Sequence, residues 1–584
     1  MITVNDHKQT LLFDPWKFLS PKRRQMLEDN WPGLFRNQLL DTLPVDKLIP
    51  FFSNNFGRPS KELYTVLGAL LLQQAMDLSD EETVEQLAFN IQWHYALNIA
   101  EESDAAKYIC TKTLWTMRRI MIENNLDRTV LDSITDKLAK IFNVNTDKQR
   151  LDSVHICSNM RRISRISIFS HTIHKFLINL KRHHNEQFEG ISEELRRRYI
   201  SPKALNAFAL LKPSAAAKTL EIVSRDLLSL VDLFQSKPLI PEMSSYKLMK
   251  RILAEQCEVS DDSDETEITV KPSGEVGADS LQNPTDPDAT YDGYKGQGYQ
   301  VQVMETFTDT DNKKAKEQTL NLITHVSVEK ACQSDACALM PAIADTQKRG
   351  LCPAILLADA AYGGDDNMLD ARRKHVELIA PAQNGNKRRP GMDLSAFKFD
   401  DGGRVVCCSE GHTPNKIDSR VKKDRYSACF NRATCEHCPS LSDCPVQVGK
   451  KYSYLRYSQK DYRLTVRRMH EKTEAFIEKY RWRAGIEATM SEYNTLTGVK
   501  RLRVRGYEAV RYCATLKATA VNMFRAAIVN RARKRAKSPY FSIFNIRLNR
   551  HEYFKPRFRD FKRICKKMII PFLPKENGAI FLAA

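Results

Sequence analysis

The chain has 584 residues, of which 42% are hydrophobic and 28% charged, and it carries a formal charge of +19. That length suits several domains and a large core. No apolar run reaches the roughly 18 residues of a membrane-spanning helix. The polar start Met1-Ile-Thr-Val-Asn-Asp-His7 lacks a signal peptide's apolar block, so a soluble cytoplasmic protein with no membrane partner is expected.

Residues 1–147 read as a helical N-terminal domain. Leu63 to Met76 is an apolar helix, Ser79-Asp-Glu-Glu82 has the form of a capping box, and an amphipathic helix covers Thr113 to Asn124. With Lys112, Arg118 and Arg119 near one start, these helices fit a helix-turn-helix DNA reader or a bundle supporting the next domain. The polar run Thr146-Asp-Lys-Gln-Arg150 marks a boundary, and Leu151-Asp152-Ser-Val-His155-Ile follows it. His155 invites an acid/base dyad with Asp152, but a strand residue that close along the chain points elsewhere or is simply packed.

Periodic Ile and Leu from Ser164 to Gln256 predict a helical insertion over 161–260. The acidic run Asp261 to Glu267 and a turn-rich stretch make 261–285 a linker with a flexible exit. Gly298 to Val303 and Thr319 to Val328 then alternate like strands, and Ser334 to Lys348 reads as a helix. Cys352 to Ala358 is a continuously apolar run of the kind found in a strand covered on both faces. Asp359 stands at its end, before Gly363-Gly364 and a helix from about Asn367 to His375, where open α/β sheets present ligand groups. Lys387-Arg-Arg389 reads as a solvated or DNA-facing loop rather than a localisation signal.

Of the 14 cysteines, Cys407, Cys408, Cys429, Cys435, Cys438 and Cys444 fall within 38 residues. Without an export signal, clustered thiolates read as a metal site rather than a disulfide framework. Four thiolates around Zn2+ form a closed structural site, which makes 400–450 a zinc-binding insertion. The spacing names Cys429, Cys435, Cys438 and Cys444, with Cys407 or Cys408 able to replace one of them and His412 and His437 as spares.

In Tyr480-Arg-Trp-Arg483-Ala-Gly-Ile-Glu487, continuing to Asn494, positions 480, 483, 487, 491 and 494 fall on one helical stripe, so a phenol, a guanidinium and a carboxylate converge. From Lys500 to the end, 22 Lys and Arg face 4 Asp and Glu. That is an electrostatic footprint for phosphate backbones, and 536–584 forms its basic tail. Tyr507, Tyr512, Phe524, Tyr540, Phe541, Phe544, Tyr553, Phe554, Phe558 and Phe561 lie among these charges and point to an ordered binding surface. Chemistry at a phosphodiester needs an activated attacking oxygen and a stabilised leaving one, which two divalent cations held by converging carboxylates supply. Asp152, Asp359 and Glu487, from two strands and a later helix, are the candidates.

Several segments together resemble a bacterial insertion-sequence transposase of the DDE type, in the IS1182-like branch of the wider IS4 group. Phe13 to Trp115, with Gly57-Arg-Pro-Ser60, is similar to the helical domain that opens such enzymes. Leu151 to Met160 resembles the first-aspartate strand, Asp286 to Tyr291 with Lys295 to Val301 the next strand region, and Leu357-Ala-Asp359-Ala-Ala-Tyr-Gly-Gly364 the second-aspartate motif. Tyr480-x2-Arg483-x3-Glu487 resembles the signature that carries the catalytic glutamate. The resemblance implies an RNase H-like α/β catalytic domain over 148–535, with Asp152, Asp359 and Glu487 holding two Mg2+ or Mn2+ ions. It implies cleavage at element ends and strand transfer into target DNA. The partners it implies are terminal inverted repeats, target DNA and further copies of the chain on that DNA. Tyr480 and Arg483 would contact end DNA. Asn494 stands where the family has lysine, so that contact carries no charge, and Lys500 or Arg501 would substitute. The competing readings are a stand-alone nuclease with the same core and a catalytically inactive zinc-containing DNA-binding protein derived from a transposase.

Overall fold

The computed structural model describes residues 2–537 apart from 10–13, 54–55, 58, 202–203, 211, 261–266, 383–391 and 421–423. Residues 1–532 form one compact unit. Lys387 to Arg389, most of the acidic run and the tail beyond 537 lie outside the described residues.

The N-terminal helices begin where caps allow. Helix α1 (Leu63–Ala75) starts on Glu62, whose carboxylate accepts the Tyr64 and Thr65 amides, and Ser79 and Glu82 form the expected capping box of the next helix. The amphipathic helix runs Thr111–Glu123, and α2 (Leu126–Phe142) ends on Asn143 in the left-handed region. Arg118 is tied to Asp80. The apolar faces of these helices join one continuous core with the central sheet.

That sheet is mixed. Its strands are β1 (Lys148–Cys157), β2 (Gly296–Thr306), β3 (Ile323–Lys330), β4 (Ile355–Leu357) and β5 (Glu377–Ile379), ordered β3-β2-β1-β4-β5, with the short strand Thr290–Asp292 also on β2. Strand β1 is antiparallel to β2 and parallel to β4, which is parallel to β5. Every residue of β2 is buried, as a strand covered on both faces must be. On one face lie the N-terminal helices, α6 (Gly485–Thr497) and α7 (Tyr507–Lys537); on the other lie α3 (Leu339–Lys348) and α4 (Asp365–Arg373). Leu151 packs toward α3 and α4, whereas Val154 and Ile156, and with them Asp152, face α6.

Two insertions have cores of their own. The first, between β1 and β2, is built on helices Arg165–His183, Pro213–Phe234 and Ser244–Gln256. The second lies between β5 and α5 (Gln459–His470). It carries a sheet of β6 (Lys416–Arg420), β7 (Arg425–Asn431), β8 (Gln447–Val448) and β9 (Tyr452–Tyr457), ordered β6-β7-β9-β8.

Three expectations are corrected. The stretch read as a flexible linker is packed from Glu267 onward: Glu267–Val270 pairs with Cys257–Ser260, and Leu281 is fully buried. The second alternating run becomes a strand only at Ile323, because its start turns from the short helix Lys313–Gln318. Tyr512 and Phe524 line the core side of α7 and Tyr507 is half-buried, so these rings hold a helix rather than face DNA. Among the described residues no helix is long and apolar enough to cross a membrane.

Candidate active site

Asp152 sits in the middle of β1, and Arg150, two residues earlier, pairs with Leu357 at the end of β4. The next positions along both chains therefore bring Asp152 beside the loop that begins at Asp359. The loop is shaped by its own bonds: Asp359 Oδ1 accepts the Ala361 amide at 2.8 Å and its carbonyl accepts the Tyr362 amide at 3.2 Å. Gly363 has no room for a side chain, since a Cβ there would stand 2.1 Å from the Pro381 carbonyl oxygen.

The third acid arrives from the face that Asp152 points to. The stripe from 480 to 494 is not one helix: Glu474–Tyr480 ends, Arg481–Ala484 forms a 3-10 turn, and α6 starts at Gly485. The four-residue spacing still brings Arg483 Nη1 to Glu487 Oε1, at 3.2 Å. Arg483 Nη2 reaches Asp152 Oδ2 at 2.7 Å and lies 3.9 Å from Asp359 Oδ2. One guanidinium thus touches all three acids that the sequence singled out. The Asp152, Asp359 and Glu487 side chains are 15%, 35% and 70% exposed, grading from buried strand to open helix.

Burial pushes the Asp152 carboxyl above its ordinary value. Arg483 and the Ser153 amide act against this, and the negative charges of Asp359 and Asp335 add to it. Burial likewise raises Tyr362, reinforced by Asp335, Asp152, Asp359 and Glu329, so the cleft has a negative field. Asp335, Gln302 and Tyr362 were not singled out from the sequence. Tyr362 OH donates to Gln302 Oε1, and Gln302 Nε2 donates to Asp335 Oδ1 at 2.8 Å, so the chain of bonds braces the Asp359 loop. Only Tyr362 had a signal, its place inside the Ala-Asp-Ala-Ala-Tyr-Gly-Gly run.

The expected DNA contacts divide. Tyr480 is half-buried, stacked on Phe476 with centroids 5.4 Å apart, within the field of Asp359 and Asp152. Asn494 Oδ1 accepts the Lys500 amide at 3.2 Å, and its carbonyl accepts the Gly498 amide at 2.8 Å, so the side chain closes the turn after α6. Lys500 and Arg501 are exposed, and the Lys500 carbonyl accepts the Cys157 amide at 3.0 Å, which fixes this loop at the end of β1.

A buried cluster sets α6 against the sheet. Glu305 of β2 is 0% exposed and accepts from Arg150 at 2.7 Å, Arg525 at 2.9 Å and Thr489 at 2.7 Å. Arg150 also donates to the Trp482 carbonyl at 2.8 Å. A Cβ at Gly485 would stand 2.0 Å from Arg150 Nη1, so a larger residue where the helix starts would displace that guanidinium.

In the second insertion, Cys408, Cys435, Cys438 and Cys444 line one cavity. Backbone turns place three of these cysteines: the Gly411 amide donates to the Cys408 carbonyl at 3.0 Å, and the Cys438 amide to that of Cys435 at 3.2 Å. Burial raises the Cys435 and Cys444 thiols, and their cysteine neighbours add to the rise. Cys429 is buried in β7 and Cys407 ends the short strand Val405–Cys407; neither lines this cavity. Among the described residues, no group of three or more His, Cys, Asp or Glu stands close enough to hold a metal ion in the arrangement seen. In the acid trio the space between the carboxylates is taken by the Arg483 guanidinium.

The cleft on the mixed sheet, braced by buried polar bonds, thus gathers three carboxylates around one guanidinium. Residues 407–527 match the transposase DDE domain, and residues 24–119 match the transposase domain DUF772. The first match holds Tyr480, Arg483, Glu487 and the clustered cysteines; Asp152 and Asp359 lie outside both matches. The chain carries a DDE transposase domain, which implies an RNase H-like core and the use of divalent metals, and the protein is a transposase, an enzyme of DNA transposition. No curated protein matches the chain.

Proposed function

We propose that Asp152, Asp359 and Glu487 are the catalytic acids, that they hold two Mg2+ or Mn2+ ions, and that the enzyme cuts insertion-sequence ends and joins them to target DNA. The observation that carries this is the contact of Arg483 with all three carboxylates. One positive charge among three negative ones leaves a site that attracts further cations, and a guanidinium already balances there part of the charge that metals would balance. Two divalent ions would supply activation of the attacking oxygen and stabilisation of the leaving one. The chain's own groups do the rest. Arg483, whose buried Nε has no hydrogen-bond partner among the described residues, turns from the carboxylates to a phosphate. Lys500 and Arg501, at the end of β1, supply the charge that Asn494 lacks.

The same reading assigns the chain to the IS1182-like branch, working as an oligomer on its inverted repeats. It assigns a structural Zn2+ to the second insertion, held by Cys408, Cys435, Cys438 and Cys444, with Cys408 in place of Cys429; closing the thiols onto the ion would tighten the cavity they line. The test uses full-length protein, Mg2+ and labelled duplexes carrying the element's terminal repeats. Wild type should nick the ends and join them to a target plasmid, while Glu487→Gln binds the ends without cutting. Cutting by Glu487→Gln would refute the assignment, and cutting without joining by wild type would make the protein a nuclease.

A further inference from the structure

The sheet of the second insertion buries one face and leaves the other partly open, with Tyr452 and Tyr454 half-buried over a buried Cys429. Along β9, Ser453, Leu455 and Tyr457 are buried, and Tyr426, Ala428 and Phe430 of β7 join them in the insertion's core. The alternate residues share the opposite face: Tyr452, Tyr454 and Arg456, in register with Asn431, Cys429 and Ser427. Tyr452 and Tyr454 meet edge to face with centroids 6.4 Å apart. The Lys451 ammonium lies 5.8 Å from the first ring and the Arg456 guanidinium 5.4 Å from the second. Gly449 admits the Tyr454 ring, because a Cβ there would stand 2.7 Å from it.

The charge on this face is one-sided. Asp418 and Glu436 are taken by Lys416 and Arg432, each pair at 2.7 Å. Arg425, Lys450, Lys451 and Arg456 are exposed, and two of them lie against rings rather than acids. Half-exposed rings on a sheet offer stacking that a duplex, whose base faces are hidden, cannot use, and the cations suit the phosphates beside them. The face is also coupled to the catalytic cleft. Helix α5 begins just after β9, and its Arg463 pairs with Asp365 at 2.6 Å while Arg467 donates to the Gly363 carbonyl at 2.9 Å, beside the Asp359 loop.

We propose that this face binds a single DNA strand, with bases stacking on Tyr452 and Tyr454 and phosphates meeting Arg425, Lys451 and Arg456. The proposal rests on the transposase reading only for the nature of the substrate, since strands separated at a cut end supply unpaired DNA. It is tested with full-length protein and a strand carrying 5-iododeoxyuridine, about 16 nucleotides long so that it spans the upper size of such sites. Irradiation should cross-link Tyr452 or Tyr454, mapped by mass spectrometry. Tyr452→Ala with Tyr454→Ala should weaken binding of that strand roughly tenfold or more while leaving duplex binding within about twofold. Because the tyrosine variant could disturb the insertion, Lys451→Gln with Arg456→Gln is measured beside it. This pair should lower the slope of log affinity against log salt by about 0.7 per charge removed. Cross-links confined to other segments, or an unchanged slope, would overturn the proposal. Either result leaves the Glu487→Gln cleavage test untouched, so the two readings fail separately.

Discussion

Two clusters of acid and arginine sit on the same side of the central sheet, and they differ in how their charge is balanced. Around Glu305, two guanidinium groups meet two carboxylates, those of Glu305 and Glu492, and Thr489 completes the hydrogen bonding. Around Arg483, a single guanidinium meets three carboxylates. The first cluster is closed, with Glu305 at 0% exposure, and the second opens to solvent through Glu487 at 70%. A closed, neutral cluster fixes elements in place; an open one with unbalanced negative charge invites cations. The shortfall of positive charge, more than the number of acids, distinguishes the proposed site.

The largest expected effects set the two clusters against each other. On the proposed assignment, Asp152→Asn or Asp359→Asn should lower end cleavage on the order of a thousandfold or more while the melting temperature holds or rises. Cleavage of labelled ends and thermal melts read both. Glu305→Ala should do the reverse, destabilising the fold by about 3–5 kcal/mol by leaving buried guanidinium groups unpaired. A urea titration checks it, and a variant as stable as wild type would erase the distinction between the clusters.

How much of this was legible before folding depends on the range of each contact. The pairing of Arg483 with Glu487 follows from a four-residue spacing and survives even though a 3-10 turn interrupts the helix. Asp359 is marked by its place after an apolar strand. Asp152 was a candidate that spacing alone could not select, since one acid after a polar stretch has no signature, and resemblance decided it. The Glu305 cluster was invisible, because Arg525 lies 220 residues from Glu305 along the chain and no local period encodes the meeting. Composition misled at α7, where aromatic residues among cations suggested a DNA surface. Tyr512 and Phe524 are buried in a helix enclosed on nearly all sides from Val510 to Ala527, where even Lys517 and Arg525 are paired inside the protein.

Smaller effects sharpen the contrast. Arg483→Gln removes the competing charge, so Mn2+ should bind the DNA-free protein roughly tenfold more tightly, equivalent to about 1.4 kcal/mol; calorimetry reads this, and weaker binding would show that the arginine assists the metal. The smallest effect is in pH. The Asp152 carboxyl is raised above the ordinary 3.8 by burial and by its acidic neighbours, so protons compete with the cation over a higher range. Mn2+ affinity should rise with pH through a midpoint above 3.8 and then level off, and a midpoint below it would mean that Arg483 outweighs burial.

The most direct measurement replaces Mg2+ with Fe2+ and adds ascorbate and peroxide, so that radicals formed at the bound ion cut the polypeptide nearby. Cuts are expected close to Asp152, Asp359 and the segment from Arg483 to Glu487, and they should vanish in Asp152→Asn with Asp359→Asn. Cuts that persist in that double variant, or that fall only in the cysteine-bearing insertion, would contradict a shared cation site at these three acids.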